Sequence, residues 1–462
     1  MASAEIAAVY LSLQIYLPVI GTMEQQQYRQ LGADRRNRFV GLLAILGTWV
    51  NWFIWVGTVK SLATLLPTLR DQMETYTWVI GWIIVIMEVT ADLIGPFAAP
   101  LGRRFGVRIC VMVSGLMIGL AFIIASFSSA AVMAVVLAVL AGPGLGISNV
   151  LCKELVGKCF SSRRISTAFA ISQSGASISY MVVPPMTQLF LDTYGWRATM
   201  LLLGAIFFHM TVCGALFRFP PSCGVIVASN YSVIPDDCVQ EEHQSNDNAS
   251  REPNEHQKMS AFRALCQHLN TELFFNRSYW CLAVMGIVNN VSTLGWAVYF
   301  VPHTQTKGFT PKESVILTAI MGMTKVVAAF TLGPLMDKVK IVSSRGFLGI
   351  ALTSLTVYYL IDPWLTSFWL NAINVAIYAC SSFLVWLLTD VLVCEVVTAD
   401  QLGSAFGWIG IKCAVFSFVL LYLPGLTFDL GGSYTLPFML LGGLQIFAIV
   451  ALILLVVEQS RK

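Results

Sequence analysis

Long apolar runs broken by short polar stretches fill most of this chain, and their length decides what they are. A helix needs about 20 mostly apolar residues to cross a bilayer. Twelve runs meet that requirement: 39–62, 77–99, 107–128, 130–152, 165–189, 197–217, 279–302, 314–336, 345–363, 366–394, 402–424 and 434–457. They fall into six, a polar interval of about 218–278, and six more. The interval carries Asp236-Asp237, Glu241-Glu242 and the stretch Gln244 to Gln257, a composition that reads as a solvated linker. The pattern predicts an all-α polytopic membrane protein of twelve transmembrane helices in two six-helix bundles. Its expected parts are an N-terminal tail (1–38), a first bundle (39–217), a central loop (218–278), a second bundle (279–457) and a C-terminus (458–462).

Composition strengthens this reading. Of 462 residues, 56% are hydrophobic and 11% charged, and the mean hydropathy is +0.73. Soluble chains carry roughly 25% charged residues, so a water-soluble enzyme is excluded, as is disorder. A net charge of +3 is too small to argue for nucleic acid as a partner. The eleven cysteines sit mostly inside apolar runs without regular spacing and read as small core residues. No metal-ligand spacing or cofactor motif is present, so neither a metal nor a cofactor is expected. The apolar stretch 6–20 contains Gln14 and Pro18 and follows Glu5 instead of a basic cluster. It reads as an interfacial or poorly ordered tail rather than a signal sequence or a thirteenth span.

Basic residues set the expected orientation. They cluster before the first run (Arg29, Arg35, Arg36, Arg38), after the second (Arg103, Arg104, Arg108), after the fourth (Lys153, Lys158, Arg163, Arg164) and after the eighth (Lys338, Lys340, Arg345). The alternate loops are poorer. Both termini and the central loop are therefore expected on the cytoplasmic side, and the sequons at Asn230, Asn248 and Asn276 are expected to carry no glycan.

Six runs, a linker and six runs suggest two similar halves, as in many secondary transporters. Corresponding loops agree: the second run ends Gly95-Pro96 and continues to Arg103-Arg104, and the eighth ends Gly333-Pro334 and continues to Asp337-Lys338. In each, Gly-Pro permits close approach and a bend before a basic turn, which makes these residues candidates for gating turns. Gly142, Gly144 and Gly146 around Pro143 fit either a flexible segment lining a pathway or plain backbone packing.

Several stretches resemble the monocarboxylate transporter family of the major facilitator superfamily. They are Val59-Lys60-Ser61, Trp78, Gly95-Pro96, Arg104 to Arg108, Cys159 to Arg164 leading into Ala170 to Gly175, Tyr194-Gly195-Trp196-Arg197, Pro424-Gly425 and Asp429 to Tyr434. The resemblance covers about 39–218 and 279–457. It implies the major facilitator fold, alternating access, a plasma-membrane address and a single-span ancillary subunit. The departures bear on mechanism. The family's acidic Gly-Gly-Trp-Gly-Trp signature is absent near Asn37 to Leu42, and its fifth-span signature is degraded at Ser166 and Phe169. Proton-coupled members carry an Asp and an Arg four residues apart in the eighth span. Aligned on Gly333, Lys325 takes the Asp position and Ala329 the Arg position.

Ionisable residues inside a span are costly and so mark functional candidates. Lys60, Lys325 and Lys412, drawn from both halves, suggest a positive cavity for a small organic anion, with Asn149 as a polar contact. The structural alternative has Lys60 reaching the surface and the other lysines paired with Glu88, Asp92 or Asp390. Glu88 and Asp92 lie four apart on one helix face, as charge-pair partners or proton carriers. Asp390 is a third candidate proton or charge-pair site, and it and Glu395 are expected to anchor the inner gate or face cytosolic water. His209 reads as a packed core histidine, and Trp49, Trp52 and Trp55 as a lipid- or core-facing stripe. The sequence thus predicts a carrier of a monocarboxylate or related metabolite in the lipid bilayer, not strictly proton-coupled. A carrier of another solute, such as a zwitterion or an amide-like metabolite, and a non-transporting receptor of the same fold remain as alternatives.

Overall fold

Each apolar run forms a helix because a bilayer offers the backbone no hydrogen-bond partner outside its own segment. A computed structural model of the chain describes residues 39–65, 68–74, 77–160, 164–217, 273, 275–338, 344–420 and 434–460. The stretch 6–20, the sequons at Asn230 and Asn248 and nearly all of the expected central loop lie outside them. Among the described residues there is no strand. The first half contains α1 (Phe39–Leu65), α2 (Thr77–Leu93), α3 (Gly95–Phe105), α4 (Val107–Ala125), α5 (Ala130–Val136), α6 (Gly142–Cys159), α7 (Ile165–Phe207) and α8 (His209–Leu216). The second contains α9 (Arg277–Thr306), α10 (Pro311–Lys338), α11 (Ser344–Ile361), α12 (Phe368–Val396), α13 (Leu402–Leu420) and α14 (Thr435–Ser460).

Ten of these segments are long and apolar enough to cross a membrane, or eleven when the bent pair α2–α3 is taken as one broken span. The twelfth is hidden in the 52-residue stretch Ile165–Leu216. Gly195 interrupts it with φ 76°, ψ 170°, a backbone state that side chains disfavour. The chain folds back there. Ser179 and Phe207 would stand about 42 Å apart on one straight helix, yet a Cβ placed on Gly57 would lie 3.3 Å from atoms of both.

Two local irregularities trace to proline. The second span bends by 53° between α2 and α3, where Pro96 at the start of α3 cannot donate to the preceding turn. Between α5 and α6 the chain widens into a π turn over Leu137–Ala141, just before Pro143 removes another ladder bond. The glycines around Pro143 serve close packing: a Cβ at Gly146 would strike the Ala91 carbonyl, and one at Gly144 would lie 2.8 Å from the Ser114 carbonyl. Small residues let backbones approach where lipid gives no hydrophobic drive for helix association.

The outward faces are apolar. Ile109, Val113, Leu116, Leu120 and Ile124 form an exposed stripe along α4 at helical spacing, as expected of an integral membrane protein. Buried polar groups concentrate inside. Where α9 and α11 end and α12 begins, Asp362, fully buried, accepts from His303 Nε2 at 2.9 Å and Asn374 Nδ2 at 3.2 Å. Lys307 Nζ donates there to the Asp362 carbonyl at 2.6 Å and to Asn371 Oδ1 at 2.7 Å.

Candidate functional site

A cavity of about 170 Å³ lies between the two halves. Its wall draws on the first, second, fourth and fifth spans of each half and on none of the third or sixth. That correspondence is the geometric trace of the internal repeat.

The wall holds six charged side chains: Lys60, Glu88, Asp92, Lys153, Lys325 and Asp390. Lys60 and Lys325 come from opposite halves and meet over one ring. Their Nζ atoms lie 5.2 and 5.7 Å from the centroid of Tyr180, within cation–π range. Lys325 lies equally far from Tyr378. Lys60 Nζ also donates to the Ala297 carbonyl of α9 at 3.1 Å. Lys153 is tied differently. Its Nζ stands 3.0 Å from Asp390 Oδ1, over the faces of Trp52 and Phe406 at 5.0 and 5.3 Å. Gln173 Nε2 donates to the other Asp390 oxygen at 3.1 Å. Asn149 lines the cavity and accepts from Asn51 Nδ2 at 3.3 Å, while Ser148 Oγ donates to Asn51 Oδ1 at 2.6 Å.

Several expectations need correction. Lys153, expected in the loop after the fourth run, lies on α6, which continues to Cys159 and leaves it 6% exposed. A buried carboxylate across the interface compensates a charge that would otherwise end the span. Lys412 does not line the cavity. Its Nζ lies 4.4 and 4.0 Å from the rings of Tyr279 and Trp280, and the neighbouring Cys413 faces the cavity instead. Asp390 lines the cavity and is paired, with Lys153 rather than with Lys325 or Lys412. Glu88 and Asp92 both face the cavity, but no ion pair among the described residues includes either of them, Lys60 or Lys325. Trp52 and Trp55 line the cavity instead of facing lipid. Trp49 is turned aside, donating to Ser174 Oγ at 3.1 Å. His209 is exposed, its Nδ1 3.0 Å from the Ile206 carbonyl of its own helix.

The expected turn residues lie where the halves touch. A Cβ on Gly95 would come within 2.8 Å of the Gly407 carbonyl, so the bend in the second span rests directly on α13. Arg103 Nη2 donates to Ser404 Oγ at 3.3 Å. Asp337 accepts from the backbone N–H of Thr167 at 2.9 Å and of Ser166 at 3.3 Å, capping the otherwise unpaired start of α7 from the other half. Gly333 packs on Ala170. Arg104 and Lys338 are exposed, and Pro96 is buried at the bend. Among the described residues, no group of three or more His, Cys, Asp or Glu side chains could hold a metal ion.

Residues 39–419 match the Major Facilitator Superfamily. Monocarboxylate transporter 12 of Mus musculus is 28% identical over 320 residues, a match covering 68% of this chain and 64% of the relative. Monocarboxylate transporter 6 of Homo sapiens is 22% identical over 65% of this chain and 57% of its own length. The chain thus spans somewhat under two thirds of these relatives. Among solved structures, the human organic anion transporter MFSD10 has a TM-score of 0.61 at 14% identity and covers 90% of this chain and 99% of its own. The proton:xylose symporter XylE has a TM-score of 0.64 at 12% identity and covers 89% and 94%.

Proposed function

This chain belongs to the Major Facilitator Superfamily as a divergent member of its monocarboxylate transporter family, and on that premise we propose that it carries a small organic carboxylate. The observation behind the proposal is the meeting of Lys60 and Lys325, from opposite halves, over the Tyr180 ring. Two ammonium groups face one small space, neither in an ion pair with a protein carboxylate among the described residues, and an anion supplies a counter-charge through charge-assisted hydrogen bonds. Because the lysines belong to different halves, an anion between them would draw the halves together. Rocking of 39–217 against 279–457 then exposes the site to either side in turn. Asn149 offers a further polar contact.

Transport proceeds without obligatory proton coupling in this reading. Lys325 and Ala329 replace the acid–base pair that the resemblance associates with proton symport. The basic loops support cytoplasmic termini, which puts the contacts of Gly95, Arg103, Gly333 and Asp337 on the cytoplasmic side as an inner gate. The plasma-membrane address rests on family resemblance alone, as does an ancillary subunit.

Uptake of labelled lactate into proteoliposomes, with and without an inward proton gradient, tests the proposal against Lys325→Ala. Uptake that ignores the gradient and is lost in the variant is the expected result. Uptake that follows the gradient would overturn the uncoupled mechanism. Lactate uptake undiminished in the variant would overturn the anion site.

A further inference from the structure

The internal repeat is broken at one charged position of the inner contact. Asp337 accepts from the backbone N–H groups of Ser166 and Thr167, the second and third residues of α7. A counterpart is due on the first half. Asp337 stands four residues after Gly333, but four residues after Gly95 stands Ala99, which carries no charge. The helix equivalent to α7 is α13, and it begins in the same way. Ala405 N–H donates to the Gln401 carbonyl at 2.8 Å, so Gly403 and Ser404 hold the second and third positions. They belong to a first turn whose N–H groups find no acceptor within the helix.

A carboxylate reaches this turn all the same, from another helix. Glu154 of α6 is 7% exposed. Its Oε1 accepts from Lys158 Nζ at 2.6 Å, and its Oε2 faces Gly403 so closely that a Cβ there would strike it. The same Cβ would lie 2.7 Å from the Cβ of Ala99. The position that the repeat assigns to an acid therefore touches the turn without charge, and Glu154 brings the charge beside it. Aligned peptide dipoles favour negative charge at a helix start, the more so where water is largely excluded.

We infer that Glu154 replaces the acid missing at Ala99 and forms the second latch of the inner gate, holding the start of α13 as Asp337 holds the start of α7. The inference rests on the inner gate proposed above and names the residue that completes it. Each half then extends one carboxylate to a helix start of the other, Asp337 from the second half and Glu154 from the first. Lys153, next to Glu154 on α6, holds Asp390 of α12. One turn of α6 thus ties both α12 and α13, and its withdrawal from the second half breaks both ties.

Labelling of Cys394 by a membrane-impermeant maleimide tests this on the full chain. Cys394 lies on α12, and its Sγ would be 3.2 Å from a Cβ on Gly157 of α6, so separation of α6 from the second half uncovers it. The reagent is applied from the side bearing Arg103, and the modified peptide is quantified by mass spectrometry. Glu154→Gln should speed labelling about fivefold, the scale of one charge at a helix start, and Asp337→Asn should do likewise. Ala99→Asp added to Glu154→Gln should bring the rate back toward that of the unaltered chain, because it returns an acid to the position the repeat assigns. Lys158→Met should leave the rate nearly unchanged. Should Glu154→Gln unfold, which its melting curve would reveal, Glu154→Asp withdraws the charge by one methylene and is read in the same way. Unchanged labelling in Glu154→Gln beside faster labelling in Asp337→Asn overturns the second latch and leaves the gate standing. Unchanged labelling in both overturns both. A rise in Lys158→Met as large as in Glu154→Gln, or a folded double variant that labels as fast as Glu154→Gln, also overturns the latch.

Discussion

Lys153 and Asp390, 237 positions apart, form a nearly solvent-free ion pair across the two halves, with Nζ 3.0 Å from Oδ1 and side chains 8% and 6% exposed. Removing one member leaves a buried charge alone, which costs about 3–5 kcal/mol, whereas replacing both by apolar residues of similar volume is often neutral. Lys153→Met and Asp390→Leu should therefore each lower the unfolding temperature of the purified protein markedly, and the double variant should recover most of the loss. Additive losses in the double variant would show that the pair is not coupled.

The two cavity lysines should behave as one unit. If each gives cargo a charge-assisted hydrogen bond of about 1.5–3 kcal/mol, a single alanine substitution weakens recognition by roughly 10- to 100-fold. Lys60→Ala and Lys325→Ala combined should cost less than the sum of the two, because the second loss falls on a site already unable to hold the anion. A double-mutant cycle on lactate counterflow checks this, and strict additivity would argue against a shared ligand.

Gly407 leaves no room for any side chain, since its Cβ would run into the backbone of Gly95. Gly407→Ala should push the halves apart at this contact. Labelling of Ser404→Cys by a membrane-impermeant maleimide, applied from the side bearing Arg103, should speed up severalfold in that background while counterflow falls. An unchanged labelling rate would show that the contact yields without opening.

The buried cluster around Asp362 should matter for stability rather than for cargo. Asp362→Asn leaves Lys307 and His303 without their carboxylate, a change of about 3–5 kcal/mol by analogy with other broken buried pairs. It should lower the unfolding temperature but spare the preference among substrates. Burial also lowers the pKa of Lys307, with Asp362 opposing the shift. Between that lowered value and lysine's ordinary value of about 10.4, the unfolded chain holds a proton that the folded chain has released. Stability relative to Lys307→Gln should therefore rise with pH across that window, and a relative stability that falls there would contradict the assignment.

The spans were legible because a bilayer demands a long apolar run wherever it is crossed, and the bend at Gly95-Pro96 because proline removes a donor. Lys325 of α10 was legible for the same reason that Lys153 was not, whereas Lys60, two residues from the end of its run, was legible through the resemblance at Val59-Lys60-Ser61. A charge deep inside a run stands out against its neighbours, but one near the end of a run reads as the start of a loop. Lys153 is buried only because Asp390 answers it from the other half, and no local window contains both. Lys412 misled in the opposite direction. Its depth in the run was correct, but a quarter turn of helix decides between the cavity and the rings of Tyr279 and Trp280. Tyr180 carries no sequence signal of its own, since a tyrosine is ordinary on a helix that faces a partner, and Gln173 was legible only as part of the stretch Ala170 to Gly175.

The 53° bend at Gly95 joins two tasks in one piece of chain. Above it, α2 presents Glu88 and Asp92 to the cavity; below it, α3 leans on α13 and reaches Ser404 through Arg103. A rigid elbow of this kind passes any displacement of its lower arm to its upper arm. Specificity and turnover therefore share a lever. Substitutions selected on one arm to admit a new cargo will alter the cycling rate as well, and substitutions on the other that loosen the inner contact will blur the choice of cargo.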